Sequence, residues 1–197
     1  MNSIEYASLK KRTQHSILKG AGTMRSVVFE PSFMIILSPF QTRHLEGVIQ
    51  LSRKLEKDSI PCSYWGLNSI SAAQLLKNPH KNSIVALIDN SVVGIGSITR
   101  GQLYQQHLAE LSIAVDSLYR KNGIARKIIS QLEAIAKENG VELLKAHIST
   151  DNFPSRRLFE SLNYEHRATL FCEFKSPEFG EIDDCVYYQR LKPNNEF

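Results

Sequence analysis

A single mixed α/β domain, one sheet flanked by helices, is what this sequence predicts, and three observations carry it. The 197 residues, 42% of them hydrophobic, suffice for one well-buried core and fall short of a convincing second domain. Apolar runs of strand length alternate with stretches whose apolar residues recur at helical spacing. Hairpin signals mix with strand–helix–strand connections, so the sheet should be partly antiparallel and partly parallel.

Residues 1–30 carry Lys10-Lys11-Arg12, Lys19 and Arg25 but lack the apolar stretch that directs export. They read as an N-terminal extension, a weakly helical or disordered arm, with the domain proper over 31–192. "FMIILSPF" (33–40) is a strand. From Gln41 to Lys57, Leu45, Val48, Ile49 and Leu55 form an apolar helical stripe whose one gap is filled by Ser52. "SIPCSYWG" (59–66) breaks the pattern at Pro61 and Gly66, and "NSISAAQLLKNP" (68–79) restarts a helix from an Asn68 or Ser69 cap.

"SIVALIDNSVVGIGSITR" (83–100) is two strands around a turn at Asp89-Asn90-Ser91. Gly94 and Gly96 imitate the opening of a dinucleotide fingerprint. They lie inside the second arm of the hairpin with no helix after them, which excludes that reading. "HLAELSIAV" (107–115) alternates Ala109, Leu111, Ile113 and Val115 on one face with Leu108, Glu110, Ser112 and Ala114 on the other.

After Gly123 a helix carries Ile124, Ile128, Ile129, Leu132, Ile135 and Ala136 at helical spacing and stops at Asn139-Gly140. "ELLKAHIST" (142–150) is a strand, "SRRLFESL" (155–162) a short helix, and "ATLFCEF" (168–174) and "DCVYYQRL" (184–191) two strands around a polar loop at 175–183.

Charge and composition narrow the function. The net charge of +4 is mild, and the basic residues are scattered except at 120–127, which argues against a nucleic-acid partner. No run of about eighteen apolar residues marks a membrane span. Cys62, Cys172 and Cys185 are odd in number and share no metal-ligand spacing, so they read as reduced thiols of a cytoplasmic protein, with no metal. The cluster at 120–127 is the informative exception. A helix start already carries partial positive charge, so Arg120, Lys121, Arg126 and Lys127 around Gly123 read either as a site for an anion closed in by backbone N–H groups or as a solvated basic face with a turn glycine.

These residues resemble the GCN5-related N-acetyltransferases (GNAT). Arg120-Lys-Asn-Gly123-Ile-Ala125 fits that family's acyl-CoA signature, placed after a strand and opening a helix, and "NFPSRRLFESLNY" (152–164) is similar to its later Asn and Leu-Tyr-x-x-x-Gly-Phe pattern. The element order agrees over 33–191. The resemblance implies an acetyl-CoA-dependent N-acetyltransferase acting by direct transfer in a ternary complex, with a small-molecule primary amine as the expected acceptor. A protein N-terminus or lysine is the alternative acceptor, and a silent acyl-CoA-binding module the alternative class; a homodimer is compatible with the pattern.

The resemblance also implies roles. Backbone groups of Lys121, Asn122, Gly123, Ile124, Ala125 and Arg126 hold the CoA pyrophosphate, with charge from Arg120, Arg126 and Lys127. Pantetheine lies between the strand ending at Val115 and the strand 142–150, and the N–H groups near Ile113 and Val115 polarise the thioester carbonyl. Asn152 contacts the CoA arm, and Glu110 removes a proton from the ammonium substrate through water. The family's proton-donating tyrosine is here Phe159, which cannot donate; Tyr164 is the substitute carried forward, beside Tyr119 and Tyr187. The family's Gly is Asn163, which tolerates a left-handed turn.

Acceptor recognition falls to Tyr64, Trp65 and Asp183, with Glu178, Glu181 and Asp184 near, since acids beside aromatics suit a cation. His107 and His147, lone histidines beside strands, read as hydrogen-bonded structure before acid–base groups.

Overall fold

The computed structural model describes residues 34–58, 62–176 and 180–191. The N-terminal extension and Glu178 therefore lie outside the described residues. One seven-stranded sheet is built from β1 (Ile36–Pro39), β2 (Lys81–Ile88), β3 (Ser91–Arg100), β4 (Leu108–Val115), β5 (Leu143–Ser149), β6 (Glu165–Ser176) and β7 (Gly180–Arg190), in the order β1-β2-β3-β4-β5-β7-β6. Four α-helices accompany it among the described residues: α1 (Leu45–Leu55), α2 (Ser69–Lys77), α3 (Ile124–Glu138) and α4 (Phe153–Glu160). All neighbouring strands are antiparallel except β4 and β5.

Local chemistry places these elements. Asp89 and Asn90 both take positive φ (48° and 61°), which is what a two-residue hairpin turn with the right twist demands between β2 and β3. Asn68 caps α2 by accepting from the N–H groups of Ile70 and Ser71 at 2.9 and 3.0 Å. Ser52 is fully buried in the apolar stripe of α1, and its hydroxyl accepts from the Leu67 N–H at 3.0 Å. The polar gap in the stripe thus anchors the connection to α2.

One face of the sheet packs Val85, Ile95 and Ala114 against Val48, Leu51 and Leu55 of α1 and against Tyr64. On the other, α3 lies directly on β3. A Cβ at Gly96 would stand 2.5 Å from Ile128 Cγ2, and one at Gly94 3.2 Å from Ile128 Cδ1. The two glycines are the seat of α3, so the false dinucleotide signal has a packing cause.

The polar loop expected at 175–183 is mostly strand. β6 runs to Ser176 and β7 starts at Gly180, with Lys175 paired to Glu181 at 3.0 Å. At the tip of this hairpin consecutive residues on both faces are exposed, Glu173, Phe174 and Lys175 on β6 and Gly180 and Glu181 on β7, so strand pairing proceeds there without apolar alternation.

Candidate active site

β4 and β5 pair only from Leu108↔Leu143 to Glu110↔Lys145. Beyond that point each keeps its outer neighbour instead: β4 stays on β3 as far as Val115, and β5 stays on β7 as far as Ser149. Past Glu110 and Lys145 the two strands share no register pairs, and a wedge opens between them. The carbonyl oxygens of Ser112 and Ala114 lie 3.4 Å from where Cβ atoms on Gly96 and Gly94 would stand, and the Asp116 N–H donates to Val93 O at 2.9 Å. Residues 112, 114 and 116 therefore turn their backbone toward β3, and alternation turns that of Ile113 and Val115 toward the wedge.

The open end of the wedge meets the start of α3. Gly123 (φ 74°) and Lys121 (φ 66°) are both left-handed, and Gly123 is the N-cap of α3. Nothing lies within 4 Å of the position a Gly123 Cβ would take, so the backbone faces open space. The first intrahelical bond runs from the Lys127 N–H to Gly123 O at 3.0 Å. The N–H groups before it, at Ile124, Ala125 and Arg126, belong to the first turn and have no partner within the helix. Asn122 fixes the loop by donating from Nδ2 to the carbonyls of Tyr119 and Arg120, at 3.1 and 3.2 Å.

The charges are less free than the sequence suggests. Arg120 donates from Nε to Val115 O at 3.1 Å and forms an ion pair with Asp58. Arg126 donates to Ser161 Oγ at 2.9 Å. Lys121 and Lys127 are exposed. Asn152 spends its Oδ1 on the Ser155 N–H at 3.2 Å, capping α4.

Glu110 stands at the apex of the wedge, its side chain 52% exposed and 3.6 Å from Lys145 Nζ. Two further residues on the same face of β5 and β7 come together there: His147 Nδ1 is 2.5 Å from Asp184 Oδ2. Asp184 is buried, and that burial raises its carboxyl above the usual range, partly offset by His147. Their juxtaposition joins β5 to β7 across 37 positions of sequence, which no local pattern reveals.

The other expected site residues take the following positions. Tyr64 is buried, with its hydroxyl 2.8 Å from Ser97 Oγ and donating to Ser112 O at 3.3 Å, and burial raises its pKa strongly. It is part of the core beneath α1. Trp65, beside it, is half-buried and packs against that core. Asp183 accepts at Oδ1 from the Cys172 N–H at 2.8 Å and holds the β6 irregularity there, where Cys172 has φ 49°. Tyr164 is buried edge-on to Phe159, 4.9 Å between ring centroids, and donates to Glu133 Oε1 at 3.2 Å. Burial, then the Glu133 charge, raises its pKa far above the ordinary tyrosine value. The Tyr64 and Tyr164 hydroxyls and the Asp183 carboxylate thus each have a hydrogen-bond partner within the protein. Among the described residues no group of three His, Cys, Asp or Glu side chains is arranged to hold a metal, and no helix is long and apolar enough to cross a membrane.

Comparison with known proteins agrees with this geometry. The chain is 39% identical over 59 residues to the L-2,4-diaminobutyric acid acetyltransferase of Streptomyces coelicolor, a match spanning 29% of this chain and only 35% of that protein. It is 26% identical over 121 residues to the L-amino acid N-acetyltransferase AaaT of Escherichia coli, covering 60% of this chain and 74% of that one. An N-acetyltransferase from Staphylococcus aureus shares the fold with a TM-score of 0.72 at 21% identity, over 81% of this chain and 99% of the other. Salmonella typhimurium yncA, solved with its cofactor acetyl-CoA, has a TM-score of 0.71 at 17% identity, over 82% of this chain and 96% of the other. Residues 52–164, more than half of the sequence, match the profile of the acetyltransferase (GNAT) family, and the chain belongs to that family.

Proposed function

We propose that this protein transfers the acetyl group of acetyl-CoA directly to the amino group of a small, amino-acid-like primary amine. The observation that carries the reading is the β4–β5 wedge, which runs from a left-handed, basic anion loop at α3 to a carboxylate at its apex. A thioester chain laid in the wedge would meet the N–H groups of Ile113 and Val115, with its pyrophosphate at the first turn of α3. Those N–H groups would stabilise the oxyanion formed when the amine attacks.

Attack requires a neutral nitrogen. Glu110 removes the proton from the incoming ammonium, directly or through one water. The relatives named for amino-acid substrates support a small acceptor carrying its own carboxylate. The protein works in the cytoplasm, where the free Cys62, Cys172 and Cys185 remain reduced.

The test is thiol release from acetyl-CoA with a panel of amino acids, diamines, polyamines and peptides. Turnover with free amino acids or diamines above that with peptides is expected. Turnover on peptides alone would transfer the reading to a protein N-terminus or lysine. CoA binding without turnover on any amine would leave a binding module.

A further inference from the structure

An ammonium acceptor loses two protons on its way to an amide. In the reading above Glu110 takes the first, before attack. The second leaves the nitrogen after the C–N bond has formed, and the departing CoA sulfur needs a proton of its own. Phe159, fully buried and without a polar atom, offers neither an acceptor nor a donor.

The wedge holds a group that can do both. On β5, half-buried Lys145, His147 and Ser149 alternate with buried Leu144, Ala146 and Ile148. Glu110 is the register partner of Lys145 and pairs with it, so His147 lies on the face of Glu110. It stands two residues further along the strand, roughly 7 Å into the diverging part of the wedge.

Its Nδ1 is held by Asp184, whose side chain is 2% exposed, while the imidazole itself is 24% exposed. A carboxylate so buried is costly unless hydrogen-bonded. His147 supplies that bond, and Asp184 in turn fixes the ring as the Nδ1–H tautomer, leaving the Nε2 lone pair available. The charged groups around the pair are Glu110 on β4 and Lys145 on β5, with Glu173 on β6 also acting on Asp184. Lys81 on β2 faces Glu110 from the far side.

We propose that His147, oriented by Asp184, is a catalytic proton shuttle between the acceptor nitrogen and the CoA sulfur. This rests on the acetyltransferase reading. The amine nitrogen bonds to the acetyl carbon and gives its remaining excess proton to Nε2 of His147. The C–S bond then breaks, its electron pair goes to sulfur, and Nε2–H of the imidazolium protonates the thiolate. The products are amide and free thiol, and His147 ends neutral. Asp184 is a positioning residue that stabilises the transient imidazolium.

Kinetics of the full chain and spectra of ¹⁵N-histidine-labelled protein test this together. His147→Ala should lower kcat about a hundredfold with the KM for acetyl-CoA within twofold, and free imidazole should restore at least a tenth of the parent rate. Imidazole should leave Glu110→Gln unrescued. Asp184→Asn should lower kcat without raising the KM for acetyl-CoA, and should move the His147 ring away from the Nδ1–H tautomer. In the parent, adding CoA should shift the His147 Nε2 resonance.

A His147→Ala variant as fast as the parent, or a loss that imidazole does not repair, overturns the shuttle. A parent that turns over no amine sinks the acetyltransferase reading instead. The CoA-dependent Nε2 shift then decides the placement of the imidazole at the thiol, and its absence overturns that placement.

Discussion

Glu110 differs from Asp184, the other carboxylate on this face of the wedge, in being accessible, since Asp184 lies buried behind His147. Glu110→Gln preserves shape and removes the proposed base, so turnover at neutral pH should fall about a hundredfold with CoA affinity nearly unchanged. Raising the pH should recover much of the loss, because more of the amine arrives neutral; steady-state rates across pH check both. Cys62 makes a second case at this scale. Burial pushes its thiol from 9.0 up to about 11. At pH 8 its thiolate fraction, and hence its alkylation by iodoacetamide, should be about a hundredfold below that of an exposed thiol, as read by mass spectrometry of labelled peptides. The sign for stability follows: between pH 9.0 and about 11 the unfolded chain surrenders this proton first, so the fold loses stability as pH rises through that window.

At the scale of elements, what packs α3 onto β3 is the absence of side chains at Gly94 and Gly96. Gly96→Ala would place its methyl 2.5 Å from Ile128 Cγ2, where Ile128 is fully buried and has no room to move. A loss of about 1–3 kcal/mol is expected in chemical denaturation. In an Ile128→Ala background the same change should cost less, and strict additivity of the two would refute the clash. Such elements were readable in sequence because periodicity and punctuation are local: the stripe of α3 and its stop at Gly140 (φ 70°) both appear where expected. The β6–β7 hairpin outruns the strands its sequence predicts because its exposed tip needs no apolar alternation. The loop at 120–127 was legible as a charge anomaly, whereas the commitment of Arg120 to Asp58 and of His147 to Asp184 joins positions 62 and 37 residues apart and leaves no local trace.

Across the whole sheet, the antiparallel meander β1–β4 and the group β5-β7-β6 meet edge to edge through only three register pairs. The ligand proposed for the wedge would therefore bridge the two halves of the sheet where their strands part. CoA should raise Tm in proportion to the logarithm of its concentration, and slow amide exchange in β5 as well as β4. Its affinity should fall as ionic strength rises, because the proposed pyrophosphate site at Lys121, Lys127 and the first turn of α3 is an exposed surface, while pantetheine lacking the nucleotide should respond much less. Arg120 sharpens the test, since its ion pair with Asp58 draws positive charge away from that surface. Asp58→Asn should raise CoA affinity by about two- to fivefold at low salt and leave pantetheine affinity unchanged, in isothermal titration. Gly123→Val, which would fill the open space over the loop and strain a φ of 74°, should weaken CoA by more than about tenfold. Equal salt responses of CoA and pantetheine, together with a Gly123→Val chain that folds and binds CoA as the parent does, would remove the pyrophosphate from the start of α3.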